Sequence, residues 1–116
     1  MRIYTCLCRF QISVLKHTGT QRTVLVVNTH LKSGREFCHI RALQMIVCLQ
    51  HVHELQQRHP GACVVLAGDL NSPQFSAVVD FISSGRVSDK HVDWFIGGYR
   101  LLHICIDVKF NCSACR

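Results

Sequence analysis

The sequence predicts an α/β layered fold, and three observations carry that expectation. Short apolar runs rich in β-branched residues recur at 10–15, 23–27 and 62–67. A long segment of helical periodicity, 36–58, separates the second run from the third. A polar cluster directly follows each of the last two runs: Asn28-Thr29-His30 and Gly68-Asp69-Leu70-Asn71.

The elements follow in order. Phe10, Ile12 and Val14 alternate with Gln11 and Ser13, the period of a half-buried strand. Residues 17–21 have turn composition, so this strand can form a hairpin with the next. The continuous run 23–27 suits a strand buried on both faces and ending at Asn28. Lys32, Ser33, Gly34 and Arg35 make a basic loop. From 36 to 58, Ile40, Leu43, Met45, Val47, Leu49, Val52 and Leu55 share an apolar side. Arg41, Gln44, Gln50, Gln56 and Gln57 fall elsewhere, and Pro60-Gly61 stops the helix. Residues 62–67 read as another buried strand and 76–83 as a short helix broken by Gly85. A helical crossover between neighbouring strands makes them parallel. Both polar clusters then emerge at one sheet edge, where α/β sheets build their sites.

Composition sets wider bounds. The chain has 116 residues, nearly half of them apolar and only two of them proline, which excludes a disordered tail. It is long enough for one small domain or part of a larger one. The formal charge is +6, and six basic residues precede the first acid, Glu36. That balance suits a polyanionic partner, although ordinary solvated lysines and arginines account for it as well. Cys48 and Cys63 lie in apolar runs and are expected to be small buried hydrophobes. Cys6 with Cys8 and Cys112 with Cys115 are the close pairs among the eight cysteines, and a zinc module built from them would have an unusual spacing. No secretory signal precedes these cysteines, so a reducing, intracellular compartment is expected. The acid-free start has a faint likeness to a mitochondrial transit peptide, but the strand-like alternation after it favours a folded reading. No apolar run approaches the roughly 20 residues of a membrane span.

The polar clusters carry the chemistry. Phosphodiester hydrolysis needs charge neutralisation at the phosphate and an activated water. A carboxylate can hold a hard metal or take the water's proton, an amide can orient the water, and an imidazole can donate to developing negative charge. Asp69, Asn71 and His30 supply these three groups, and Gly68 permits a tight approach before Asp69. The same residues have structural readings: Asp-x-Asn after Gly often caps its own turn, and a histidine after a strand is often a hydrogen-bonded structural group. Spacing alone leaves both open.

Val27-Asn28-Thr29-His30-Leu31 and Gly68-Asp69-Leu70-Asn71-Ser72 resemble the NTHL and GD(F/L)NS motifs of the endonuclease/exonuclease/phosphatase superfamily. Arg41 and Gln44 resemble the R-x-x-Q of its CCR4-type deadenylase branch, which includes nocturnin, the angel proteins and the 2′,5′-phosphodiesterases. Residues 10–15, and Phe81, Ile82 and Gly85 followed by His91-Val92-Asp93-Trp94, are most similar to the 2′,5′-phosphodiesterase group. The resemblance covers 10–94 and leaves 95–116 an unassigned, divergent segment, although 99–110 is apolar enough for a strand.

The resemblance implies part of a two-layered α/β sandwich (DNase I-like), incomplete because such a domain takes about 200–250 residues. It implies Mg²⁺ as cofactor and a phosphodiester substrate, RNA poly(A) or 2′,5′-oligoadenylate, in the cytoplasm or mitochondrion. By similarity, Asp69 would hold the metal and activate water, Asn71 would join it at the metal, position that water and contact phosphate, and His30 would contact the scissile phosphate. Asn28 would bind substrate or, more in keeping with its place, brace the His30 loop. Lys32 and Arg35 would meet substrate phosphates or remain solvated loop charges. Arg41 and Gln44 would support the motif loops from behind. Trp94 is expected in the core, with base stacking as the other reading. Two family features find no match: a metal-binding glutamate on an earlier strand (Glu36 and Glu54 both come too late) and a terminal Asp-His pair, since His103 precedes Asp107. The chain alone is therefore expected to turn over little substrate, as an inactive fragment or pseudoenzyme of a hydrolase lineage.

Overall fold

The structure, a computed structural model, describes residues 2–6 and 10–96. Four strands form one sheet in the order β1 (Arg2–Cys6), β2 (Phe10–Lys16), β3 (Thr23–His30) and β4 (Cys63–Asp69). The first three are antiparallel neighbours and β4 is parallel to β3. The parallel pair is joined through α1 (Cys38–Arg58), entered by a 3₁₀ turn at Arg35–Phe37, and β4 leads into α2 (Ala77–Ser84). A second 3₁₀ turn, Val92–Trp94, closes the described chain.

Each of the three expected strands and both helices is present, with shifted ends. β3 runs on through His30 and β4 through Asp69, so both polar clusters are the last rungs of a ladder rather than loops beyond it. β1 was not foreseen, because 2–6 shows neither a clean alternation nor a continuous β-branched run.

One face of the sheet packs on the helices. Phe10, Ile12, Leu25, Val27 and Leu31 meet Ala42, Met45, Leu49, Val52 and Leu55 of α1, with Val78, Phe81 and Trp94 extending the same core. Burying side chains of this size stabilises the fold by about 1.5–3 kcal/mol each. Trp94 is buried there and donates its indole N–H to the Ser88 carbonyl at 2.7 Å, so it is a core residue. α2 starts with Ser76 at its N-cap, and the buried carboxylate of Asp93 accepts the Ala77 N–H at 2.8 Å. That bond pins the helix start to the second 3₁₀ turn and satisfies an orphan donor.

Three burial expectations need correction. β3 is buried on one face only: Leu25, Val27 and Thr29 point to the helices, while Val24 and Val26 are half-exposed and Asn28 and His30 exposed. β4 is exposed or half-exposed along its length, and with it Cys63; Cys48 is buried as expected. For β3, among the described residues nothing packs on the face opposite the helices, so a continuous apolar run does not mean two covered faces. β4 is the last strand of the described sheet, and the helices cover it incompletely even on their own side, where Val64, the neighbour of Leu25, is 36% exposed. Arg41, placed by periodicity off the apolar side, is instead only 3% exposed. It lies near the N-terminal end of α1, where its guanidinium donates to the loop carbonyls of Lys32 and Gly34. Cys8, the Cys112 and Cys115 pair, His103 with Asp107, and the strand expected at 99–110 lie outside the described residues.

Candidate active site

The parallel pairing of β3 and β4 sets the register that makes a site. His30 lies opposite Asp69, Thr29 opposite Gly68 and Asn28 opposite Ala67. Paired residues of parallel strands share a face. His30 and Asp69 therefore stand side by side on the open face, at the C-terminal edge of the sheet. Their side chains are each 65% exposed, and His30 Nε2 lies 3.9 Å from Asp69 Oδ2. The common edge expected from the crossover is thus present.

Backbone geometry at Gly68 permits the approach. Its φ is +121°, and a Cβ there would sit 1.9 Å from the Thr29 carbonyl oxygen. Only glycine lets β4 lie this close to β3 at its last rung.

Asn71 folds back over the end of the ladder. Its Nδ2 donates to the Leu31 carbonyl at 2.8 Å, and its backbone N–H donates to Asp69 Oδ1 at 2.8 Å. Asn71 has φ of +47°, a left-handed conformation that asparagine tolerates better than most residues. The structural reading of Asp-x-Asn is therefore correct for one oxygen of Asp69, which caps its own turn. The other oxygen, Oδ2, faces His30. The two readings coexist in one carboxylate.

The loop after His30 is held from behind. Leu31 continues the ladder with its N–H on the Asp69 carbonyl at 2.9 Å. Lys32 is gripped at both backbone groups: its N–H donates to Gln44 Oε1 at 3.0 Å and its carbonyl accepts from Arg41 Nη1 at 3.0 Å. Arg41 Nη1 also donates to the Gly34 carbonyl, and Nη2 to Cys38 Sγ at 3.1 Å. Gly34, at φ +105°, turns the chain so that both carbonyls point at one guanidinium. The support expected from Arg41 and Gln44 thus takes the form of a clamp on the two peptide groups that flank the Lys32 Cα. Asn28, expected as a possible brace, stands exposed on the open face beside His30, because residues i and i+2 of a strand share a face.

Lys32 rests its ammonium 4.8 Å from the Phe37 ring centre, a cation–π contact that keeps it at the rim. Arg35 is exposed on the same loop. The six candidate residues thus share one end of the sheet, with His30, Asp69 and Asn71 closest together. Sequence reasoning passed over Phe75, an exposed aromatic on the loop that starts at Asn71; its signal was an apolar residue standing outside any periodic run.

Among the described residues no group of three or more His, Cys, Asp or Glu side chains converges tightly enough to hold a metal. One carboxylate and one amide oxygen, from Asp69 and Asn71, fit part of the oxygen set that a hard divalent cation takes.

No family model matches the chain. Curated relatives do. It is 37% identical over 90 residues to mouse 2′,5′-phosphodiesterase 12, covering 76% of this chain and 15% of that protein. It is 33% identical over 81 residues to the probable CCR4-Not complex 3′-5′-exoribonuclease subunit Ccr4 of Vairimorpha ceranae, covering 70% of this chain and 17% of that one. The fold matches the human nocturnin catalytic domain, solved with a bound sulfate anion, with a TM-score of 0.61 and 21% identity over 65% of this chain and 27% of that one. The likeness to nocturnin speaks for the fold, a DNase I-like α/β layering of which part is present.

A strand-end histidine and aspartate in parallel register, on such a fold and in such company, define a protein of the endonuclease/exonuclease/phosphatase superfamily. Within it, the chain belongs to the CCR4-type branch, and it spans about 15% of the length of the mammalian relatives it matches.

Proposed function

We propose that this chain is part of a Mg²⁺-dependent phosphodiesterase that removes nucleotides from RNA 3′ ends or from 2′,5′-linked oligoadenylate. The observation that carries the reading is the pairing of His30 with Asp69 across the parallel ladder, with Asn71 folded against both strands. The names of the relatives, a 2′,5′-phosphodiesterase and a 3′-5′-exoribonuclease subunit, support the substrate class.

Each residue has a role within that reading. His30 donates a hydrogen bond to a phosphate oxygen as negative charge builds there. Asp69 presents Oδ2 to the attacking water and takes its proton. Asn71, its amide fixed by the Leu31 carbonyl, orients that water and keeps a second N–H for phosphate. Asp69 and Asn71 would hold Mg²⁺, which supplies Lewis-acid neutralisation of the phosphate. Lys32, Arg35 and Asn28 meet the substrate at the rim and on the open face.

The site as described brings one carboxylate to a cation that takes about six oxygens. We therefore infer that the 116-residue chain by itself binds oligoadenylate and hydrolyses it hardly at all. Two measurements on the purified chain test this. Binding of short 3′,5′- and 2′,5′-oligoadenylates should be salt-dependent and weakened several-fold by His30→Ala; no binding at low salt would refute the assignment. AMP release in Mg²⁺ should stay at background in both the chain and Asp69→Ala. Robust turnover lost in Asp69→Ala would show a complete site and overturn the inactivity, and the preferred linkage would then choose the substrate.

A further inference from the structure

Phe75 is the most exposed large apolar side chain among the described residues, at 85% of its full surface. It does not sit on a loose tail. Ser76 donates its N–H to the Pro73 carbonyl at 3.1 Å, which places Gln74 and Phe75 at the tip of a tight turn. Upstream, Asn71 is tied to the Leu31 carbonyl; downstream, the Ala77 N–H is tied to Asp93. A bulky ring is therefore presented to solvent on a turn anchored at both ends.

Its place in the fold is the second observation. β4 delivers the chain to the C-terminal edge of the sheet at Asp69, and α2 starts back only at Ala77. Phe75 thus lies on the same rim as His30, Asp69 and the Lys32 loop. It lies four positions after Asn71, a reach of no more than about 14 Å. A short single-stranded segment can span that reach, from a phosphate at the site to one of its own or a neighbouring base. The rim therefore combines a phosphate-directed pair, a fixed ammonium at Lys32 and an exposed aromatic ring. Proteins that grip single-stranded nucleic acid use the same combination, cations for the backbone and aromatic faces for the bases.

We propose that Phe75 is a base-stacking residue: its ring takes a nucleobase of a single-stranded substrate whose phosphate sits at His30 and Asp69. The proposal rests on the phosphodiesterase reading above and adds to it a contact with the base. Stacking on a bare ring reads no hydrogen-bond pattern, so this contact favours the presence of a base over its absence and tolerates any base.

The test compares two probes on the full chain at low salt: a short oligoadenylate, and an abasic ribose-phosphate oligomer of the same length. Phe75 carries almost no packing, so Phe75→Ala leaves the fold in place, which an unchanged urea midpoint checks. Phe75→Ala should weaken oligoadenylate binding by about fivefold to a hundredfold. It should leave abasic binding within twofold, and Phe75→Trp should restore oligoadenylate binding. Oligoadenylate binding that is the same in wild type and Phe75→Ala overturns the stacking role and leaves the phosphodiesterase reading standing. Equal loss for both probes also overturns it. Absence of binding to either probe in the wild type overturns the phosphodiesterase reading and the stacking role together.

Discussion

At the scale of single residues, the site depends on groups that do no chemistry. Gly68 is the sharpest case. Its φ of +121° and the 1.9 Å approach that a Cβ would make to the Thr29 carbonyl leave no room for a side chain. Gly68→Ala should lower stability by at least about 2 kcal/mol. Urea denaturation reads this directly, and a midpoint equal to wild type would mean that the strands can part there at little cost. Gly68 was legible in the sequence as the residue that frees the backbone before Asp69. Asp69 itself was legible as a candidate carboxylate, but its division of labour was not. One oxygen caps Asn71 and one faces His30, and only the folded turn decides which.

Elements bring a different lesson. The crossover from β3 through α1 to β4 was readable from hydrophobic period, and parallel pairing followed from it. The clamp on the Lys32 backbone was only partly readable. Arg41 and Gln44 sit on α1 three residues apart, so they share a helix face. That Arg41 is buried depends on loop carbonyls at Lys32 and Gly34, which no periodicity in α1 encodes. Through Lys32 and Leu31 the clamp reaches the amide of Asn71. Arg41→Met keeps the volume and removes the donors, leaving two carbonyls without their charged partner. The expected cost is about 2 kcal/mol, concentrated in the loop. Trypsin cleavage after Lys32 should then speed up more than global unfolding does; equal acceleration of both would place the guanidinium in the core rather than in the loop.

At the scale of the whole molecule, the sheet has one covered face and one open one. Leu15 and Val65 are 40% and 48% exposed there, beside Cys63, and among the described residues β4 has β3 as its only neighbour. An open edge with an apolar face is a template for further pairing. The purified chain should self-associate as its concentration rises, and Val65→Lys should suppress this by placing a charge on the exposed edge strand. Light scattering across a concentration series checks it, and a chain monomeric throughout would contradict the reading. The sequence disclosed the runs that form β3 and β4 but not the openness of this face, because a strand awaiting a second layer and a strand already covered by one have the same composition. The His30–Asp69 register also fixes where the chain can change length. Side chains alternate faces along a strand, so one residue inserted between Val64 and Val65 would turn Asp69 toward the helices and dissolve the pair. The turn at 59–62 lies beyond the clamp and before the ladder, and residues added there would move neither partner. The turn at 59–62 is thus a seam open to insertion, whereas β3 and β4 are strands in which a single added residue would erase the site while leaving every one of its residues in the sequence.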